Sequence, residues 1–397
     1  MMAPARTVQN LVIGGGPAGA MAAIKLAEAG REAMLIEKEP APRDKVCGEF
    51  LSQEAINYLH SVSVFPEHLG AASIRFVRLF SGSRRAEAEL PFPALSLSRR
   101  VLDEALLARA AAAGCKVLRG AAVDRLTARE AGWRATLSNG ASIDAQSAFL
   151  ANGKHDLRQW NRPPGVQNDL IGLKLHWRLS RAQNDTLRDS TELFLFRGGY
   201  GGLLLIENNA ANFCLVVQRR TLRRHGDWTA LLAAIAGENC QLSRRLMEAE
   251  SLHPRPLAIS PIPYGYLAGP SNGLWRIGDQ AAVIPSFTGD GISIALHSAS
   301  LAAQMSLQGN APDEYIGVLR GQLRRPMRLA TCLSRAMVTA LGRGLAPPVL
   351  SLVPGAMRFI ATATRVPRSA LMSTENVAAR SSGATLESVS SRPRRSA

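Results

Sequence analysis

Leu11-Val12-Ile13-Gly14-Gly15-Gly16-Pro17-Ala18-Gly19 is the stretch on which the fold turns. The apolar run 11–13 reads as a strand buried in a parallel sheet. Gly14, Gly16 and Gly19 follow at G-x-G-x-x-G spacing. The first glycine permits a tight turn, the second lets main chain approach a pyrophosphate, and the third lets a helix pack closely on the sheet. Residues 17–29 read as that helix, capped by Gly30 in the left-handed region, with free amino-terminal N–H groups offered to phosphate. The next strand, 33–36, ends at Glu37, where an acid can grip ribose hydroxyls. In this order, strand, helix, cap and acid make residues 10–37 a βαβ unit that binds a dinucleotide.

A second glycine-marked segment lies far along the chain. Residues 274–277 read as a strand that stops at Gly278-Asp279. Pro285 follows, and then Gly289-Asp290-Gly291 opens a helix over 292–303. An aspartate at position 279 can accept hydrogen bonds from a polyol such as a ribityl chain. A helix amino terminus favours an anion by typically ~0.3–1 kcal/mol, which suits the negative charge a reduced flavin carries at N1. Taken together, the two segments suit the two ends of FAD.

On these residues the chain resembles the FAD-dependent oxidoreductases of the p-hydroxybenzoate hydroxylase and geranylgeranyl reductase fold, from about Leu11 to Gln308. The resemblance is carried by GGGPAG with Glu37, by Arg43-Asp44-Lys45-Val46-Cys47-Gly48-Glu49, by Ser98-Arg99-Arg100-Val101-Leu102-Asp103, and by the segment from Gly278 to Gly291. It implies that Gly14, Gly16, Pro17, Ala18, Gly19 and Glu37 hold the ADP half. It also implies that Arg99 and Asp279 hold the middle of the cofactor, and that Gly289, Asp290, Gly291 and Ile292 face the flavin. Lys38, Arg43, Cys47, Val123, Asn152, Gly153, Gly278 and Pro285 complete the cofactor set that it implies. Residues 152–158 are similar to the hydroxylases' Asp-Gly-x-x-Ser-x-x-Arg fingerprint. Here Asn152 replaces the aspartate, Asp156 stands at the serine position, and Arg158 falls one residue early. With a single dinucleotide fingerprint, NAD(P)H is expected as a transient electron donor without a Rossmann domain of its own.

The expected fold class is α/β: a Rossmann-type FAD-binding domain, an inserted antiparallel β-sheet substrate domain, and a carboxyl-terminal helical region. Short strands are expected at 121–127, 133–137 and 141–143, with Asn139-Gly140 as the hairpin turn, and a returning strand at 148–151. Four more, at 170–179, 191–196, 202–207 and 212–218, form the substrate sheet, and a helix over 228–236 packs on it. The resulting divisions are 1–165 with 269–308 for FAD, 166–268 for substrate, 309–366 helical, and 367–397 a disordered tail rich in Ser, Ala and Arg. On strand 170–179, Leu173, Leu175, Trp177 and Leu179 share one face while Lys174, His176 and Arg178 share the other. That second face looks either into the substrate cavity or into water, solvent being the commoner setting for a charged row.

The chain has 397 residues, 46% of them hydrophobic, and a formal net charge of +16. This length allows two to three domains with substantial cores. Five widely spaced cysteines without a C-x-x-C pair argue against structural zinc, an iron–sulfur cluster or a disulfide framework, and no metal ligand is assigned. No apolar signal core opens the chain, so the expected compartment is the cytoplasm. Arginines from Arg324 to Arg368, interleaved with Leu323, Leu329, Leu333 and Met337, read first as a helical unit with a solvated basic face. The same pattern suits peripheral contact with an anionic membrane at its inner face. Pro347, Pro348 and Pro354 are expected to interrupt the most apolar part. Charge alone, without a recognisable module, does not support nucleic-acid binding.

Four residues are candidates for chemistry. Cys47 sits where geranylgeranyl reductases carry a cysteine–glycine segment beside the flavin, with Lys45 in position to depress its pKa. Glu49 can exchange a proton near the ring or anchor Arg43 or Lys45. His176 is a candidate base on strand 170–179. Tyr200 matches the first residue of the reductases' Tyr-x-Trp-x-Phe-Pro motif, but Gly202, Leu204 and Leu205 replace the rest, which counts against a long isoprenoid substrate. The absence of a Trp-x-Trp pair counts against flavin halogenases. The leading expectation is a flavin monooxygenase that hydroxylates an aromatic or polyketide-like hydrophobic molecule with NAD(P)H and O₂. The alternatives are a geranylgeranyl reductase-like flavoprotein that reduces C=C bonds, and a non-catalytic flavin-binding protein associated with membranes.

Overall fold

Strand β1 (Arg6–Ile13), helix α1 (Pro17–Glu28) and strand β2 (Ala33–Glu37) form the amino-terminal unit of the computed structural model, which describes residues 6–371. Ala18, Ala20, Ala22, Ala23 and Ile24 of α1 are buried and every residue of β2 is buried, so this layer is apolar on both faces. The first sheet continues with β6 (Lys116–Arg119), β7 (Val123–Arg129), β8 (Gly132–Leu137) and β9 (Ser142–Leu150). Its order is β6-β2-β1-β9-β8-β7, and Trp275–Arg276 also pairs with β9. Strand β1 lies parallel to both β2 and β9, with Ile13 opposite Ile36 and Leu150. Their carboxyl ends open one crevice, the usual ligand edge of such a sheet. The expected strands 141–143 and 148–151 are one continuous strand, because the intervening residues carry no breaker.

The second sheet holds β10 (Leu170–Arg178), β11 (Asp189–Phe196), β12 (Gly199–Leu205) and β13 (Ala211–Gln218). Three further strands come from much earlier in the chain: β3 (Phe50–Leu51), β4 (Ala72–Ser81) and β5 (Arg84–Ser96). With β14 (Glu250–Ser251) the order is β14-β10-β13-β12-β11-β4-β5-β3, and β15 (Leu257–Ile259) pairs with β10. Residues 50–96 therefore contribute to the sheet that sequence analysis built from 166–268 alone. The β4–β11 pairing is parallel, a long-range contact that no local pattern announces. Helices α2 (Gln53–His60) and α3 (Arg99–Ala112) flank the first unit, while α4 (Arg181–Leu187), α5 (Arg219–His225), α6 (Trp228–Glu238) and α7 (Cys240–Leu246) accompany the second sheet.

Helix α8 (Gly291–Leu307) packs on α1, and α9 (Pro312–Met337) packs on α8. Helix α9 buries Tyr315, Leu319, Leu323 and Met327 and exposes Arg324, Arg325 and Arg328. Helices α10 (Ala340–Leu352) and α11 (Pro354–Ala363) lie against β5. Pro347 and Pro348 lie inside α10 and do not interrupt it. Neither can donate to the carbonyl four residues back. For Pro348 that carbonyl belongs to Gly344, and Arg84 Nη1 donates to it at 2.7 Å instead. The expected tail 367–397 begins with ordered chain: the Ala370 N–H donates to the Pro367 carbonyl at 2.9 Å, and Ala370 is buried. Its remainder, 372–397, lies outside the described residues. Among the described residues, no single helix is long and apolar enough to cross a membrane. One bent pair, Ala340–Leu352 with Gly355–Leu371, meets the length and composition test across a 112° bend.

Candidate active site

The Gly14–Gly19 turn is closed by main-chain contacts. Gly14 has φ 108°, and a Cβ there would come within 2.5 Å of the Ala151 carbonyl oxygen. A Cβ on Gly19 would fall 1.8 Å from the Gly14 carbonyl oxygen. Asn152 lies beneath this turn and Gly153 lines the cavity beside it. Gly16 caps α1 without a side-chain hydrogen bond, which leaves the amino-terminal N–H groups of the helix to an anion. The Glu37 carboxylate accepts from the Gly15 N–H at 2.8 Å and the Glu39 N–H at 2.9 Å. It is thereby fixed at the end of β2 with lone pairs left for hydroxyl groups.

Arg99 begins α3 and reaches the Gly16 side of the turn, where its guanidinium lies 3.2 Å from the place a Cβ on Gly16 would take. Asp103 orients it through two bonds of 2.7 and 2.9 Å and also takes Lys45 Nζ at 2.9 Å. Burial opposes the Asp103 charge, but Arg99 and Lys45 more than offset it and hold its carboxyl below the ordinary range. The cation expected beside Cys47 was Lys45. Instead Lys45 is engaged by Asp103, the Cys47 thiol accepts from the Glu49 N–H at 3.4 Å, and Arg99 is the cation that acts on the thiol electrostatically.

A cavity of approximately 620 Å³ runs from Gly16, Pro17 and Ala18 past Cys47 and Gly48 to β12, and on to α10 and α11. Gly48 and Gly291 line it, and a Cβ on either would meet nothing within 4 Å. These two positions therefore leave open space beside main chain in which a planar group could lie. Asp279 also lines the cavity, with Lys154 Nζ 3.8 Å from its carboxylate and its carbonyl accepting from Arg162 at 2.8 Å. Gly278, Gly289 and Ile292 complete this end. The Asp290 carboxylate is turned away from the cavity. It accepts from the Val366 N–H at 3.1 Å and meets Arg365 at 3.3 Å and Ser52 Oγ at 3.4 Å. Burial pushes its carboxyl up to about 7, with Arg365 pulling down and Glu54 pushing up. Arg365, expected on the solvated basic face, is buried between Asp290 and Glu54.

The polar face of β10 differs from the expected solvent-facing row. Lys174 and His176 are buried, and only Arg178 is exposed. The segment from Asp44 to Glu49 covers them and supplies the compensating charge. Glu49 is fully buried at φ 61°. Its Oε1 accepts from Lys174 Nζ and from the Arg99 N–H at 2.9 Å, and its Oε2 lies 2.9 Å from His176 Nε2. Lys174 Nζ also donates to the Lys45 carbonyl at 3.1 Å, and Asn212 Nδ2 donates to the Cys47 and Gly48 carbonyls at 3.1 and 3.0 Å. Burial works against the Glu49 charge, but Lys174 and His176 outweigh it and hold the carboxyl below its ordinary value. Glu49 anchors Lys174 and His176, not Arg43 or Lys45.

The structure brings Cys47, Glu49, Arg99, Tyr200, Gly278, Asp279, Gly289 and Gly291 to one cavity. Tyr200 is buried, its hydroxyl 3.2 Å from Ser334 Oγ, and burial pushes that hydroxyl up to about 12. His176 lies behind Glu49 and does not line the cavity. Lys38 and Arg43 lie outside the cavity near Glu39, with Arg43 2.7 Å from the Glu39 carboxylate. Val123 starts β7 and Pro285 lies one residue before the cavity-lining Ser286. Sequence reasoning missed Lys154, Lys174 as a buried partner, Tyr264, Phe287 and the aliphatic lining from α10 and α11. The even-numbered polar residues of β10 were a signal for Lys174, but their partner Glu49 is remote in sequence.

A family described as an FAD binding domain matches residues 7–151. The menaquinone reductase of Mycobacterium tuberculosis is 28% identical over 317 residues, covering 74% of this chain and 75% of that protein. The digeranylgeranylglycerophospholipid reductase of Methanoculleus marisnigri is 29% identical over 320 residues, 75% of each. The crystal structure of the halogenase PltM superimposes with a TM-score of 0.74 at 15% identity, over 96% of this chain and 86% of that one. A match at that identity shows the fold and leaves the chemistry open. The glycine turn, the fixed Glu37 and the open space beside Gly48 and Gly291 fit FAD, and the chain carries an FAD binding domain in the fold that FAD-dependent oxidoreductases share.

Proposed function

We propose that this chain is a flavin-dependent reductase that saturates a C=C bond in a long hydrophobic, isoprenoid-type molecule. The reading is carried by the cavity, which continues from Cys47 and Gly48 to the aliphatic side chains of α10 and α11. Support comes from the curated relatives, which are named for the reduction of menaquinone and of a digeranylgeranyl lipid. This replaces the monooxygenase that sequence analysis put first. The altered tyrosine motif, which counted against an isoprenoid, supports one once it is placed. Tyr200, Gly202 and Leu204 alternate along β12 and line the cavity. A Cβ on Gly202 would meet only Leu193 Cδ2, at 3.5 Å. Glycine in place of tryptophan therefore leaves room for a long chain.

FAD, when bound, supplies two-electron transfer to the substrate. Glu37 and the α1 amino terminus would hold its ADP half, Arg99 and Asp279 its middle, and the main chain at Gly48 and Gly289–Gly291 its ring. Cys47 and Tyr200 line the substrate space as proton donors, together with Tyr264, while Glu49 positions the Cys47–Gly48 segment. The apolar side chains of α10 and α11 form the entrance. Leu341 and Leu352 are 72% and 82% exposed, and Arg343 and Arg358 stand near them in sequence. This combination suits peripheral contact with an anionic bilayer that holds the substrate. NAD(P)H or a ferredoxin is the electron donor in this reading.

Turnover of the FAD-loaded chain with polyprenyl lipids, prenylated quinones and phenols, run in air and under anaerobic conditions with NAD(P)H or reduced ferredoxin, tests it. The expected outcome is a product two hydrogens heavier, formed without oxygen. A product that forms only in air and carries one added oxygen atom would establish the monooxygenase instead.

A further inference from the structure

We propose that Asp44, His176 and His253 form a binding site for one divalent transition-metal ion of the zinc class. The three residues come from separate segments. Asp44 lies in the segment that leads to Cys47, His176 lies on β10, and His253 follows β14. The Leu252 N–H donates to the His176 carbonyl at 2.9 Å, which sets His253 beside His176. His253 Nε2 is 3.4 Å from His176 Nδ1 and 3.7 Å from Asp44 Oδ2, and His176 Nδ1 is 4.0 Å from Asp44 Oδ1. Tetrahedral zinc with bonds near 2.0–2.1 Å sets neighbouring donor atoms about 3.3 Å apart. The two imidazole nitrogens already stand at that spacing, and the Asp44 carboxylate lies just beyond it, with one oxygen 3.7 Å from His253 and the other 4.0 Å from His176.

The tautomer of His176 fits the same role. Its Nε2 faces the Glu49 carboxylate at 2.9 Å, and a carboxylate can only accept, so Nε2 carries the proton. The unprotonated Nδ1 then stands 4.0 Å from the Asp44 carboxylate, too far for a direct hydrogen bond. His253 Nε2 donates to that Nδ1 at 3.4 Å, and a cation that took the place of this proton would join both imidazoles to the Asp44 carboxylate. Neighbouring cations are engaged elsewhere: Lys174 is held by Glu49 and Lys45 by Asp103. The carboxylate–histidine–metal order, Glu49 behind His176, is the usual way a protein orients an imidazole ligand. Asp44 and His176 are largely buried and the His253 side chain is 26% exposed, so solvent can reach the fourth position. Two nitrogens and a carboxylate oxygen suit zinc, cobalt or nickel better than calcium or magnesium. An ion here would fasten the segment carrying Cys47 and Gly48 to the outer end of β10.

The test uses the tag-free, FAD-loaded full chain, stripped with chelator and titrated calorimetrically with zinc, with bound metal counted by mass spectrometry. One zinc per chain is expected, with affinity falling at least roughly 100-fold in His253→Gln and in Asp44→Asn, and roughly 10-fold in Glu49→Gln. An unchanged flavin spectrum in the first two variants confirms that they fold. In the unaltered chain, zinc should protect His253 from diethylpyrocarbonate, read by peptide mass spectrometry. Zinc that fails to bind the intact chain, binds either ligand variant equally well, or leaves His253 unprotected overturns the site.

Discussion

The Gly14–Gly19 turn and the Cys47–Glu49 segment both bring main chain against the same cavity, by opposite means. The turn works by subtraction, since side chains are missing where a Cβ would strike the Ala151 or Gly14 carbonyl. The segment works by addition. Glu49, Lys174, His176 and Asn212 are all buried, and their charges and hydrogen bonds pin a strained main chain from behind. A steric device has its information in adjacent residues. An electrostatic device distributes it over segments that meet only in the fold.

The sharpest way to break this comparison is Gly19→Ala. Its Cβ would sit 1.8 Å from the Gly14 carbonyl oxygen, and main chain cannot yield as a side chain can. Retained FAD, read from the ratio of absorbance at 450 and 280 nm after gel filtration, should fall by at least about ten-fold while far-ultraviolet dichroism persists; ten-fold corresponds to ~1.4 kcal/mol, within the usual cost of overpacking. Stoichiometric FAD in this variant would show that the turn is not sterically defined.

Lys174→Met tests the electrostatic device. It leaves the Glu49 carboxylate buried without its closest cation, and breaking such a pair from one side costs about 3–5 kcal/mol. Loss is expected in urea unfolding, and Lys174→Met with Glu49→Gln should recover part of it. The sign with pH follows from the lowered carboxyl of Glu49. Its contribution is present above its unfolded value of 4.5 and fades as pH falls through the lower folded value. The coupling between the two residues should therefore shrink in acid. Equal coupling at pH 7 and pH 3 would contradict the assignment.

These two devices mark how far the molecule was legible in its sequence. Glycine spacing, the apolar strand and Glu37 were readable because the residues that carry the signal are adjacent within one βαβ unit, even though the turn also closes on the distant Ala151. The face of β10 was legible as a pattern and mistaken in meaning: Lys174 and His176 alternate correctly, but a charged row reads as solvated until its counter-charge is known. The same limit hid β4, whose parallel pairing with β11 joins distant parts of the chain, and β5, which pairs antiparallel with β4. Arg365 was misread for a related reason. Its partners Glu54 and Asp290 lie on two other elements.

Asp290 gives the mildest test, because it backs a glycine turn with a buried acid and so combines both devices. Burial pushes its carboxyl up to about 7, against an ordinary 3.8. The folded protein keeps this proton to about pH 7 while the unfolded chain releases it near 3.8. The contribution is therefore greatest below 3.8, declines as pH rises, and has been lost once pH passes the folded value. Between pH 6 and pH 8 wild type should lose about 1.4 kcal/mol relative to Asp290→Asn. The readout is the pH slope of the difference in urea-unfolding free energy, because replacing the neutral carboxyl with an amide adds only a constant offset, while ionisation of Asp290 beside Arg365 is the pH-dependent part. A flat difference would mean that Arg365 keeps Asp290 ionised throughout. The Gly289–Gly291 turn would then be held in the manner of Glu49, by a charge pair, and the contrast between the two ends of the cavity would narrow to the Gly14–Gly19 turn alone.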